Sequence, residues 1–144
     1  MAIQIESTVL IARPMEVVFP FLLDLEQSAV TDPDLVSVEK ITPGPIGVGT
    51  TYVLQQRIQG RLRESTTRYT GIDPNRSIAF EADLGPIAVA ASIAFVSVEG
   101  GTRVTFHGEG TPRGALKLFS RRFQRIGQHA WDERLAHVEA ALMG

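Results

Sequence analysis

The hydrophobic period of this chain changes once, at Pro112, and that change limits what it can fold into. From Thr50 to Pro112 apolar residues recur at alternate positions, the spacing of strands with one buried face. Tyr52, Leu54, Gln56 and Ile58 share one such face, Ile78, Phe80 and Ala82 another, Ile87, Val89, Ala91, Ile93 and Phe95 a third, and Val104 and Phe106 a fourth. Turn-forming residues punctuate the run at Gly60, Asp73-Pro74-Asn75, Gly85-Pro86 and Gly100-Gly101, so each break fits a hairpin and the sheet should be antiparallel. Beyond Pro112 the spacing becomes helical. Leu116, Phe119, Phe123, Ile126, Ala130, Leu135, Val138 and Leu142 trace one stripe along a helix of about thirty residues.

The first third adds a strand over residues 3–11, with Ile3, Ile5, Val9 and Ile11 facing in, and a helix opened by Pro14. Pro20 should kink or split that helix, since it lacks the amide hydrogen that the helix interior requires. A short strand over 35–41 and a turn-rich connection, TPGPIGVG at 42–49, lead into the long run of strands. At 144 residues the chain has the length of one domain, 1–144, with no repeat or linker to divide it. The economical packing is an α+β fold: a curved antiparallel sheet of six or seven strands wrapped around the long C-terminal helix, with short N-terminal helices. A bent sheet cannot touch a straight helix everywhere, so a cavity is expected between them.

Composition removes several chemistries. There is no cysteine, hence no disulfide, thiolate nucleophile or cysteine-ligated metal. Fourteen basic and sixteen acidic residues give a net charge of -2, which offers no overall attraction to nucleic acid. No apolar run is long enough for membrane insertion, and the acidic start MAIQIE does not resemble a secretory signal, so a cytoplasmic protein is expected. His129 and His137 lie two helical turns apart and His107 alternates out of phase with Val104 and Phe106, so no metal site is expected. No cofactor motif stands out: GPIGVG at 44–49 lacks the lysine-serine ending of a phosphate-binding loop. Nor is there a GxSxG nucleophile elbow. The basic residues Arg113, Lys117, Arg121, Arg122 and Arg125 read as a solvated helix face, and His129 with Glu133 as a surface ion pair.

STVLIARPMEVVFPFLLDLE, PGPIGVGTTY, GIDPNRSIAFEA, IAFVSVEGGTRVTFHGEG and the C-terminal helix together resemble the START-related (SRPBCC) superfamily of polyketide cyclases and dehydrases, lipid-transfer domains and birch-pollen-type allergens. The resemblance covers nearly the whole chain. It implies a helix-grip fold with a hydrophobic pocket between the concave sheet and the last helix, and bacterial members are mostly small cytoplasmic proteins. It carries no catalytic signature, and fold alone does not assign activity.

The residues placed to line the pocket are Tyr52, Gln56, Phe80, Phe95, Phe123, Gly127, Trp131 and Arg134. Tyr52 would donate a hydrogen bond to a bound carbonyl or sit at the rim in water. Gly127 costs a helix about 1 kcal/mol relative to alanine, so it makes room for a ligand or for a closely approaching strand. Gly108 and Gly110 could give similar clearance. Trp131 caps the pocket or fills the core, and Arg134, if inward, suits a ligand carboxylate. Strand 61–72 has polar residues on both faces. With Leu62, Glu64, Thr66 and Arg68 inward, Glu64 and Arg68 become catalytic candidates, and the arginine-rich alternate set, Arg61, Arg63, Ser65, Thr67 and Tyr69, forms the wet convex side. The expected function is binding of a small hydrophobic or aromatic molecule without chemistry. The alternative is a polyketide cyclase- or dehydratase-like reaction, with Glu64 removing a proton and Tyr52 or Arg68 steadying the enolate. A protein-interaction role with a vestigial cavity and assembly as a homodimer are both compatible with the sequence.

Overall fold

The computed structural model describes residues 3–144. Its seven strands are β1 (Ile3–Ile11), β2 (Leu35–Lys40), β3 (Thr51–Ile58), β4 (Arg61–Asp73), β5 (Ser77–Asp83), β6 (Ile87–Val98) and β7 (Gly101–Pro112). They form one antiparallel sheet in the order β1-β7-β6-β5-β4-β3-β2. Every predicted turn is a hairpin or tight connection. Between β3 and β4, Gln59 and Gly60 have φ of 52° and 78°, the pair of left-handed residues that a two-residue hairpin matched to strand twist requires.

Two short helices, α1 (Met15–Leu23) and α2 (Leu25–Ser28), cross one end of the concave face. Pro20 lies inside α1 without splitting it. The carbonyl that its missing amide leaves free belongs to Glu16, which is exposed, so water can replace the bond. The break comes instead at Asp24, whose backbone turns extended (φ -91°, ψ 99°) and whose carboxylate accepts the Glu26 amide at 3.0 Å.

The C-terminal rod begins with a 3-10 segment, Gly114–Phe119, and continues as the twenty-four-residue α3 (Ser120–Met143). The tighter opening follows from packing: Leu118 and Phe119 project into solvent and meet no core that would fix an α-helical stripe. Only Leu135, Val138 and Leu142, all in the second half of α3, are fully buried. They join α1, α2 and the inner sheet residues in one core that includes Tyr52, Tyr69, Phe80, Phe95 and Phe106.

The first half of α3 is held along β1, largely by polar groups. Gln124 accepts the Gln4 amide at 3.0 Å and donates back to the Gln4 carbonyl. Gln128 donates to the Glu6 carbonyl at 2.7 Å, and Ser7 donates to Asp132 at 2.6 Å. Because β1 is an outer strand, these amides satisfy an edge that would otherwise be free to pair with another chain.

Candidate functional site

The inner face of β4 is decided by its neighbour. Tyr52 pairs with Thr67 and Leu54 with Ser65, and directly opposed residues share a face, so Ser65, Thr67 and Tyr69 point inward. Glu64 and Arg68 consequently lie on the outer face, which removes both catalytic candidates from the interior. Arg68 pairs there with Glu81 at 3.2 Å, and Leu62 is exposed. The arginine-rich set expected on the wet side is the inward one; Arg61 and Arg63 are exposed because they occupy the end of the strand beyond the cover of the helices.

Between the sheet and the helices lies a chamber lined by Leu22 and Leu25 from the α1–α2 corner, Leu54, Thr67, Tyr69, Ile78, Phe80 and Ile93 from the sheet, and Trp131 and Arg134 from α3. Its volume is about 50 Å³. That is room for a few waters, well below the roughly 300 Å³ at which ligand pockets begin. The expected guest-sized void is therefore not open in this conformation, and the filling is aromatic. Trp131 stacks on Phe106 with ring centroids 3.6 Å apart and planes at 11°, and Phe80 lies 6.3 Å from both rings.

Of the eight predicted wall residues, Phe80, Trp131 and Arg134 line the chamber. Phe95 packs edge-on against Phe19 at 5.0 Å, beneath α1. Gln56 sits at the rim, donating to Asp32 at 3.1 Å. Phe123 is half-buried and outside the chamber wall. Gly127 serves a strand, not a ligand: a Cβ there would overlap Ile5 Cδ1 on β1. Gly108 likewise yields its space to the Phe106 ring, 2.7 Å from where a Cβ would lie.

Tyr52 is buried behind the wall, in edge contact with Tyr69 at 5.8 Å. Its hydroxyl makes no hydrogen bond, and burial, with the nearby Asp24 carboxylate adding to it, pushes its pKa up to about 12. The Leu25 amide opposes that shift without reaching hydrogen-bond geometry. Tyr69, missed because its strand was ambiguous, donates to the Leu23 carbonyl at the end of α1; burial raises its pKa still further. Both phenols stay protonated at neutral pH.

Arg134 is the cation of the chamber. Its guanidinium carbon lies 5.1 Å from the Trp131 ring centroid, a cation–π contact, and its Nε is enclosed without a partner. Burial draws its pKa below the usual value; Asp32 and then Tyr69 act in the opposite sense. No carboxylate lies within ion-pair distance of it among the described residues.

A larger hollow of about 590 Å³ lies across the outer face of β4–β7 and opens broadly to solvent. Four of its five charges are paired, Arg68 with Glu81 and Arg113 with Asp83 at 2.9 Å, and Glu109 is the fifth. Among the described residues no group of three metal-ligating side chains converges. His129 pairs with Glu133 at 3.5 Å on the surface of α3. Among the described residues no helix is long and apolar enough to cross a membrane.

The family described as polyketide cyclase / dehydrase and lipid transport matches residues 2–142. No curated protein matches in sequence. The fold is similar to TTHA0849 from Thermus thermophilus, with a TM-score of 0.81 at 17% identity over 97% of each chain. It is also similar to the Zhui aromatase/cyclase from Streptomyces sp. R1128, with a TM-score of 0.79 at 18% identity over 98% of this chain and 93% of that one. A START superfamily protein from Mycobacterium smegmatis gives 0.78 at 14% identity, over 94% and 92%.

Proposed function

The chain belongs to the polyketide cyclase / dehydrase and lipid transport family, and from that membership we propose that it takes up a small hydrophobic or aromatic molecule in the chamber beneath α3. The observation that carries this reading is the makeup of the wall: apolar and aromatic side chains around one guanidinium whose Nε has no partner. An unpaired buried donor is costly, and a bound acid, carbonyl or phenol oxygen would relieve it. The guest needs more space than 50 Å³, so Trp131 must give way. It stands on the half of α3 that lacks fully buried residues, where movement disturbs the least core.

A cyclase- or dehydratase-like reaction is a second reading, favoured by the Arg134 guanidinium on an otherwise largely apolar wall, a cation that would hold an enolate; the Tyr69 proton is already given to the Leu23 carbonyl. Such chemistry also needs a proton acceptor. The wall contains no carboxylate or imidazole, and tyrosines with raised pKa values are donors at neutral pH, so carriage is the better supported function.

The test compares naphthoic acid with naphthylmethanol as stabilising additives in thermal unfolding. The acid should raise the midpoint more than the alcohol, and Arg134→Met should abolish the preference while leaving the protein folded. If neither compound stabilises the parent or a Trp131→Ala variant with an enlarged chamber, uptake of aromatic guests is wrong.

A further inference from the structure

The segment that opens the C-terminal rod combines two unusual features. Between Glu109 and Asp132 there is no acidic residue, yet Arg113, Lys117, Arg121, Arg122 and Arg125 all lie there and all are exposed. Five of the fourteen basic residues are thus gathered in one stretch, leaving nine against sixteen acidic residues in the rest. Within it, Leu118 is 86% exposed, more than any other large apolar residue of the described chain, and its neighbour Phe119 is 52% exposed. The described fold leaves Leu118 almost bare and covers only half of Phe119.

We propose that the segment docks on the surface of a bilayer rich in anionic lipid, with Leu118 and Phe119 entering the headgroup region and Lys117, Arg121, Arg122 and Arg125 meeting lipid phosphates around them. Arg113 contributes less, because Asp83 already holds it at 2.9 Å. Charge complementarity selects this occupant. A second copy of the chain would bring two cationic patches together, and a nucleic acid would satisfy the cations without giving Leu118 an apolar phase to enter. A bilayer interface supplies negative charge and an apolar layer side by side, the combination that interfacial segments exploit. Docking here does not require a membrane-spanning helix, and none is present among the described residues. The inference stands whether or not the chamber takes a guest.

The full-length protein should be sedimented with sucrose-loaded vesicles of phosphatidylcholine alone or with one-third phosphatidylglycerol, neither carrying any candidate guest. The parent should partition at least 25-fold more strongly onto the anionic vesicles, about fivefold for each of two or more cations engaged, and the difference should shrink as salt rises. Arg121→Gln with Arg122→Gln should weaken partitioning by roughly 25-fold, about fivefold for each cation removed. Leu118→Ser with Phe119→Ser should weaken it about tenfold without unfolding the chain, verified by an unchanged far-ultraviolet spectrum. Equal binding to both vesicle types, binding to neither, or full binding by the serine variant would each overturn the proposal. So would a homodimer that the serine substitutions dissociate, or a single-stranded polyuridine that the protein binds while ignoring the vesicles.

Discussion

Replacing Tyr52 and Tyr69 by phenylalanine, one at a time, should shift stability in opposite directions although the two rings touch and both are buried. The Tyr69 hydroxyl donates to the Leu23 carbonyl, one of the last carbonyls of α1, which has no partner within its own helix. Tyr69→Phe leaves that half-buried carbonyl without its donor, a loss of about 1–3 kcal/mol. For a chain of this length about 2 kcal/mol corresponds to a fall of roughly 7 °C in Tm. The Tyr52 hydroxyl has no partner to lose. Tyr52→Phe removes a desolvated polar group while keeping the ring and its edge contact, so stability should hold or rise by up to about 1 kcal/mol. Urea unfolding of both variants, compared at equal m-values, measures the difference directly. A loss of about 1 kcal/mol or more in Tyr52→Phe would show that this hydroxyl is bonded. An unchanged Tyr69→Phe would show that the Leu23 carbonyl does not depend on it; either result refutes the reasoning.

The raised phenol pKa values also make an alkaline prediction. A tyrosine whose folded pKa lies above its unfolded value of 10 keeps its proton longer in the folded state, so its contribution is intact below pH 10 and is lost as pH rises toward about 12. Unfolding free energy should therefore decline over that window, and Tyr52→Phe should flatten the decline. Gln124→Ala combined with Gln128→Ala should lower stability by about 1–2 kcal/mol and speed hydrogen exchange at the Gln4 amide, with more self-association on warming. Trp131→Ala should cost about 2–3 kcal/mol, less than a fully buried tryptophan because Trp131 is only half-buried, and should increase uptake of an aromatic fluorescent probe.

Much of the architecture was legible because burial and period coincide. On β1 the residues at 3, 7 and 11 are buried and those at 4, 6, 8 and 10 exposed, as alternation requires. Strand β4 was illegible for a local reason: its inward residues Ser65, Thr67 and Tyr69 are no more apolar than its outward Leu62, Glu64, Thr66 and Arg68. Only the pairing with Tyr52 and Leu54 resolves the face, and pairing register is a tertiary fact. The glycines misled differently. Gly127 does mark a close approach, but the sequence does not say whether strand or guest arrives, and Ile5 is the answer. Trp131 had two readings, cap or core, and its stacking on Phe106 shows that it is both wall and filling. Asp32, which holds Gln56 and acts on Arg134 from a distance, was invisible because it sits in a loop without periodicity.

The amide fastenings along β1 constrain how α3 can move. Gln124, Gln128 and Asp132 lie four residues apart on one ridge, Trp131 lies on the ridge beside it, and Arg134 on the next one round the helix. Sliding the helix by a turn would break every fastening at once, whereas rolling it about that ridge would strain them less. The rod is thus mounted like a door on its long side, with β1 as the jamb.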